Sequence, residues 1–200
     1  PNTAFLLPEL KKSGYDYDLI GANKLAELSV KNGKIVTKFG VAYEVLSLPE
    51  SDWITPKTLK IIESLVKKGA KIIGNKPKRS PSLSNYPESD IYVKTTANAL
   101  WDKGLIKTIS IAEFLNNEHI TPDFSIVEAN MEDIGFIHRK TKDADIYFIA
   151  NDKKEKVAFT GRFKVANKLP EIWNAETGDM KKVAVWKSND DGTVNIPITL

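Results

Sequence analysis

FIHRKTKDADIYFIAN, residues 136–151, is where the chain turns from a mixed helix and strand pattern to one made of strands alone. Phe136 and Ile137 enter a first strand, residues 140–143 form a polar turn, and residues 144–150 alternate before running apolar through Ile146, Tyr147, Phe148 and Ile149. Strand-forming residues on both sides of a short polar turn predict a β-hairpin, and the apolar run predicts that its second strand is buried. Arg139 lies across the turn from Asp143 and Asp145, which predicts a charge-assisted bond that locks the hairpin. His138, its neighbour, is read as a structural hydrogen-bond partner rather than a base, and His138 and Arg139 are also candidate ligand or interface contacts.

Upstream of this hairpin, residues 1–7 are an apolar lead-in, Pro8 opens a short helix that Gly14 closes, and residues 15–20 read as a strand. Asn23 is positioned to cap a helical turn carrying Leu25, Ala26 and Leu28. Asn32-Gly33, between Val30 and Ile35-Val36, is a two-residue hairpin signal. A short strand over residues 44–48 ends at Pro49. Thr55-Pro56 then starts a helix by a definite mechanism: the hydroxyl accepts an otherwise unpaired amide, and the proline ring presets φ. Leu59, Ile62, Leu65 and Val66 share one face of that helix, Gly69 stops it, and residues 70–73 follow as a buried strand. Strand, helix and strand with short connections predict a parallel βαβ unit.

Residues 74–87, GNKPKRSPSLSNYP, form a long irregular loop at the carboxyl end of that strand, the edge where open α/β sheets bind ligands. Lys76, Lys78 and Arg79 are its candidate contacts for an anion or for a partner's acidic surface; the alternative is a solvated loop packed on a neighbouring domain. Ser89 or Asp90 caps a second helix with Ile91, Thr95, Ala99 and Leu100 as inner positions, and Trp101 fills core or interface near its end. Residues 105–109 read as the next parallel strand, Ser110 caps a short helix, and His119 is expected to be exposed. These signals predict a flavodoxin-like parallel α/β layer of three or four strands over residues 1–124. After the hairpin, strands at residues 156–165, 170–173, 182–186 and 194–198, separated by Asx/Gly turns, predict a small β-sandwich-like domain over residues 125–200. The fold class is α/β plus all-β.

Two hundred residues with 42% hydrophobic side chains supply ample buried core. A net charge of +3 without a long like-charge run argues against nucleic acid as a partner. The apolar runs fall short of the roughly 18 residues needed to span a bilayer, so no membrane partner is expected. The chain lacks an initiator methionine and a signal-like segment, and so reads as a mature or excised piece. With zero cysteines there is no disulfide, no thiolate metal site and no thiol nucleophile.

The missing cysteine also weakens a glutamine-amidotransferase-like reading of the α/β layer, and no serine sits in a G-x-S-x-G elbow in its place. Neither G-x-G-x-x-G nor a P-loop is present, so no nucleotide cofactor is expected. His119 and His138 are the only imidazoles, too few for a His-rich metal site. The Asp143/Asp145 and Asp190/Asp191 pairs look like turn chemistry, and Asn189-Asp190-Asp191-Gly192 lacks the closing glutamate of an EF-hand. Trp53, Trp101, Trp173 and Trp186 are explained by packing as readily as by sugar stacking. No catalytic, cofactor or metal residue is assigned.

Three stretches carry a resemblance. H-R-x-T-x-D-A-D-I-Y-F-x-A-N, from His138 to Asn151, is similar to the start of the C-terminal β-domain in the α-L-rhamnosidases of glycoside hydrolase family 106. Leu169-Pro170-Glu171-Ile172-Trp173-Asn174-Ala175-Glu176-Thr177-Gly178 resembles the P-E-x-W-x-x-x-T-G turn of that domain. Thr55-Pro56 through Gly69, with Arg79-Ser80-Pro81-Ser82-Leu83 and Tyr86-Pro87, resembles the α/β domain that precedes it there. The resemblance implies the C-terminal, non-catalytic part of a glycosidase whose acids lie in an N-terminal barrel. It also implies an upstream catalytic domain as partner, carbohydrate as a second candidate partner, a periplasmic or extracellular setting, and no activity for these residues alone. Independent carbohydrate-binding or interaction modules are the rival class, and the β-galactosidases with a flavodoxin-like domain after their barrel share the outline with a different sugar.

Overall fold

A computed structural model describes residues 12–127 and 133–200. The chain divides into two compact units, one running Leu19–His119 and the other combining Ile120–Leu200 with the N-terminal side up to Asp18. The 124/125 boundary drawn from the patterning falls inside a strand, Phe124–Ile126.

In the first unit the Thr55-Pro56 signal does what its chemistry dictates. Helix α1 spans Pro56–Lys67, and the Thr55 hydroxyl accepts the Thr58 amide at 3.1 Å. Leu59, Ile62 and Leu65 face inward and are buried. Strands β1 (Ser29–Lys31) and β2 (Lys34–Val36) meet at Asn32-Gly33, whose φ values of 52° and 75° give the left-handed turn that matches strand twist. β3 (Ala42–Tyr43) adds to β2 antiparallel, with Ile35 opposite Tyr43. A 3-10 turn covers Ala22–Glu27 with Gly21, not Asn23, at its cap.

The parallel element is smaller than the flavodoxin-like layer the sequence predicts. β4 (Leu46–Ser47) pairs in parallel with β5 (Ile72–Ile73), and beyond them parallel contact among the described residues is limited to single bridges, Ile73 with Lys107 and Trp53 with Arg79. The reason lies in where the backbone amides go. Helix α2 (Glu88–Ala97) runs into a π-helical turn, Asn98–Asp102, and the Leu105 and Ile106 amides both bond back to the Leu100 carbonyl at 2.9 and 3.1 Å. A segment whose amides close a helix end cannot also form a ladder. Trp101 reinforces the arrangement by donating its indole N–H to the Gly74 carbonyl at 2.8 Å.

Within α2 the buried stripe is Ser89, Val93, Thr96 and Ala97, continued by Leu100 and Trp101 in the turn; of the expected inner positions Leu100 is buried, while Ile91, Thr95 and Ala99 are exposed. The helix starts at Glu88 after Pro87, and the Asp90 carboxylate accepts the Ser80 amide rather than capping it. Helix α3 (Ile111–Asn117) carries the predicted cap, Ser110 accepting the Glu113 amide at 3.1 Å. His119 is exposed. Among the described residues no helix is long and apolar enough to cross a membrane.

The second unit is built on β6 (Phe124–Ile126), β9 (Ala158–Phe163), β12 (Lys187–Ser188) and β13 (Val194–Thr199), an antiparallel sheet in the order β12-β13-β9-β6. Its register aligns Phe124, Phe163 and Val194 across three strands, all buried. Against this row packs the hairpin of β7 (Ile134–Lys140) and β8 (Asp145–Asn151), with Ile134 and Phe136 in the core. The Phe124 ring lies 5.0 Å from Phe163 and 5.4 Å from Phe136. β10 (Glu171–Trp173) and β11 (Met180–Lys182) form a separate hairpin. In place of the predicted sandwich the described residues form one four-stranded sheet and two hairpins, because among them β8 finds its backbone partners in β7 and adds no strand to a second, larger sheet.

The strand expected over residues 15–20 does not form; Tyr15 donates its hydroxyl to the Ile120 carbonyl at 2.7 Å. The helix expected from Pro8 begins outside the described residues. Gly14 has φ of 82° and its carbonyl accepts the Asp123 amide, while a Cβ there would lie 1.8 Å from the Phe124 carbonyl oxygen. That approach requires glycine.

Candidate functional site

Side chains alternate across a strand, so the register of β7 and β8 decides what meets what. His138 opposes Tyr147 and Lys140 opposes Asp145, which puts His138, Tyr147 and Asp145 on the core side. Arg139 opposes Ile146 on the other side.

His138 is held from both edges of its ring. Nε2 lies 2.9 Å from the Asp145 carboxylate and Nδ1 lies 3.6 Å from that of Asp123, which sits just ahead of β6. Tyr147 stacks on the imidazole at 4.1 Å with 6° between planes and donates its hydroxyl to the Lys164 carbonyl at 3.3 Å. The second oxygen of Asp145 binds Lys168 Nζ at 2.7 Å. Two carboxylates thus face one imidazole and one ammonium, a balanced set tying the hairpin to the entry of β6 and to the segment after β9.

Burial disfavours charge on His138, but the neighbouring carboxylates of Asp123 and Asp145, the second hydrogen-bonded to it, outweigh this and raise its pKa above the ordinary value. Burial likewise pushes Asp145 up, and its bonds to Lys168 and His138 more than reverse this, so its pKa is lowered. The Tyr147 phenol is pushed far up by burial and by the two nearby carboxylates. An imidazole with both nitrogens engaged by carboxylates and one face covered by a phenol is a poor general base. It is a good clamp.

Arg139 does not pair with Asp143 or Asp145. Its side chain is 72% exposed, 3.7 Å from Asp16 and hydrogen-bonded to the His138 carbonyl at 3.0 Å. The turn is fixed instead by Thr141, whose hydroxyl accepts the Ala144 amide at 2.9 Å. The loop cations also go to separate partners. Lys76 binds Asp102 at 2.6 Å, Lys78 binds Asp52 at 3.0 Å, and Arg79 lies 5.5 Å over the Trp53 ring. In the Asn189–Gly192 turn the Asp191 carboxylate is taken by Thr193 and Arg162. Among the described residues no group of three or more acidic or imidazole side chains is placed to hold a metal.

The sequence reading found His138 and missed Asp123, Tyr147 and Lys168. Tyr147 faces His138 because the loop is residues 141–144, with Lys140 paired to Asp145; the turn expected at 140–143 would have put Asp145 opposite His138 instead, so the partner depended on a register that the sequence left open. Asp123 and Lys168 come from distant segments and left no local signal.

The full 200 residues are 59% identical to a protein of Formosa agariphila named "Putative beta-glucuronidase", and they span 17% of its length. The fold matches the structure of a rhamnosidase from Novosphingobium sp. PP1Y with a TM-score of 0.85 at 26% identity, over 94% of this chain and 19% of that one. The chain thus spans less than a fifth of either relative. Residues 5–187 match the α-L-rhamnosidase model of glycoside hydrolase family 106, and by that match the chain belongs to this family.

Proposed function

We propose that this chain is a non-catalytic C-terminal portion of a rhamnosidase-like glycoside hydrolase and braces an upstream catalytic barrel. The observation that carries the reading is how the acids of the β unit are used. Glycosidases need two carboxyl groups about 5 to 9.5 Å apart with a sugar between them. Here the space between Asp123 and Asp145 is filled by the His138 ring, and Asp145 is also bound to Lys168.

The test compares the 200-residue chain with the longer polypeptide on aryl α-L-rhamnoside and aryl β-D-glucuronide, the second because of the name borne by the Formosa agariphila relative. The expected result is turnover by the longer protein only. Turnover by the 200-residue chain that vanishes on Asp123→Asn would overturn the reading.

A second reading, direct contact with carbohydrate, is favoured by one observation: the Trp173 indole is 68% exposed on the isolated β10–β11 hairpin. Exposed aromatic faces stack on sugar rings. A rhamnose-containing oligosaccharide that quenches tryptophan fluorescence in the native chain, but not in Trp173→Ala, would establish it.

A further inference from the structure

Hairpin β7–β8 is apolar on both faces, but among the described residues only one of them is packed against a core cluster. Its core side carries Ile134, Phe136, Tyr147 and Ile149. The outer side carries Ile137 opposite Phe148 and Arg139 opposite Ile146, and leaves Ile137, Phe148 and Ile146 exposed at 45%, 55% and 53%. A shallow groove runs along this side past Gly135 and Ala150. Antiparallel strands with one wet face alternate apolar with polar, whereas the unbroken run Ile146 to Ile149 is the pattern of a strand covered on both sides. Exposed apolar patches of this kind mark interaction surfaces.

What covers it is indicated by length. The same fold recurs as 19% of the Novosphingobium rhamnosidase chain, and the whole sequence aligns to 17% of the Formosa agariphila protein. In both, most of the polypeptide lies outside this fold, tethered to it and so present at high effective concentration. A face of three large side chains is small for a free partner, since stable interfaces between separate proteins bury about 800 Å² on each side. Tethering removes most of that requirement.

We propose that the outer face of β7–β8, through Ile137, Ile146 and Phe148, seats an apolar surface from another domain of the same longer polypeptide. The proposal rests on the bracing role above and names the surface that performs it.

Hydroxyl-radical footprinting of Phe148 and Ile146, in the 200-residue chain and in the longer polypeptide, tests it. Labelling should be high in the short chain at every protein concentration and fall severalfold in the long one. Phe148→Lys should leave the melting temperature of the short chain unchanged and lower that of the long one. Equal labelling in both would overturn the proposal. Protection that grows with concentration in the short chain would overturn it in favour of a second copy, and concentration-independent protection there would overturn it in favour of the chain's own residues. Deleting residues 120–200 from the longer polypeptide separates this outcome from the bracing role. If the deletion destabilises the remainder while Phe148 stays fully labelled in the intact protein, bracing stands and the face is wrong; if Phe148 is protected but the deletion has no effect, the face stands and bracing fails.

Discussion

In the unit Leu19–His119 the core cluster is mainly aliphatic, with Trp101 its one buried ring among the described residues, and is spread over helices: Leu59, Ile62 and Leu65 from α1 meet Val93, Ala97 and Leu100, with Ile35, Ile72 and Ile106 closing around them. In the unit that contains the four-stranded sheet, the buried cluster is Phe124, Ile134, Phe136 and Phe163, with Tyr147, Ile149 and Phe159 half-buried around it. The first distributes its burial over many side chains. The second concentrates it on one ring and supplements it with the His138 charge cluster. Losing one side chain is therefore a local event in the helical unit and a central one in the β unit, because small sheets joined by hairpins have few alternative contacts.

The sharpest way to break this contrast is Phe124→Ala. Phe124 is fully buried and contacts the rings of Phe136, Phe159 and Phe163, so its removal should cost about 3–5 kcal/mol. That is a large part of the roughly 5–15 kcal/mol by which domains are stable. Hydrogen exchange on the variant should show amides of β9 and β13 losing protection while those of α1 keep theirs. If α1 loses protection equally, the two units unfold together and the contrast is wrong.

What was legible in the sequence follows the same division. Thr55-Pro56 and Ser110 act through bonds to residues three away and Asn32-Gly33 through its own backbone angles, and each appears where the sequence places it. The β7–β8 hairpin was legible for the same reason. The parallel layer was not, because residues 105–109 look like a strand until one sees that the Leu105 and Ile106 amides belong to Leu100. Nor was the composition of the His138 cluster, whose members Asp123 and Lys168 come from beyond the hairpin.

The charge cluster gives the next largest effect, and it carries a pH signature that hydrophobic burial lacks. Asp145→Asn removes a carboxylate bonded to both His138 and Lys168 and should cost about 1.5–3 kcal/mol near neutral pH. The His138 contribution, from a raised pKa, is complete below 6.5 and is lost as pH rises through the folded-state value. The Asp145 contribution, from a lowered pKa, is complete above 3.8 and is lost as pH falls through its folded-state value. Melting temperature against pH should thus decline on the alkaline side above 6.5, and His138→Gln should flatten that decline. An unchanged alkaline limb in His138→Gln would show that the imidazole is not charged in the fold.

The smallest expected effect sharpens the comparison within the hairpin itself, between its two faces. His138 and Arg139 are adjacent in sequence and point to opposite sides, one into the cluster and the other into solvent. Had Arg139 bonded Asp145 in a partly buried turn, as its spacing suggests, Arg139→Ala would remove a charge-assisted bond worth on the order of 1–3 kcal/mol. With the guanidinium 72% exposed and 3.7 Å from Asp16, the surface-pair range of under about 1 kcal/mol applies, and salt should shrink it further. Urea denaturation of Arg139→Ala, Asp16→Ala and the double variant measures the coupling directly. A coupling to Asp16 below about 1 kcal/mol, together with none between Arg139 and Asp145 in the parallel cycle, would fit strand parity. A coupling above about 1 kcal/mol between Arg139 and Asp145 would mean that the turn twists enough to bring opposite faces together, and the assignment of both faces of the hairpin would have to be redrawn.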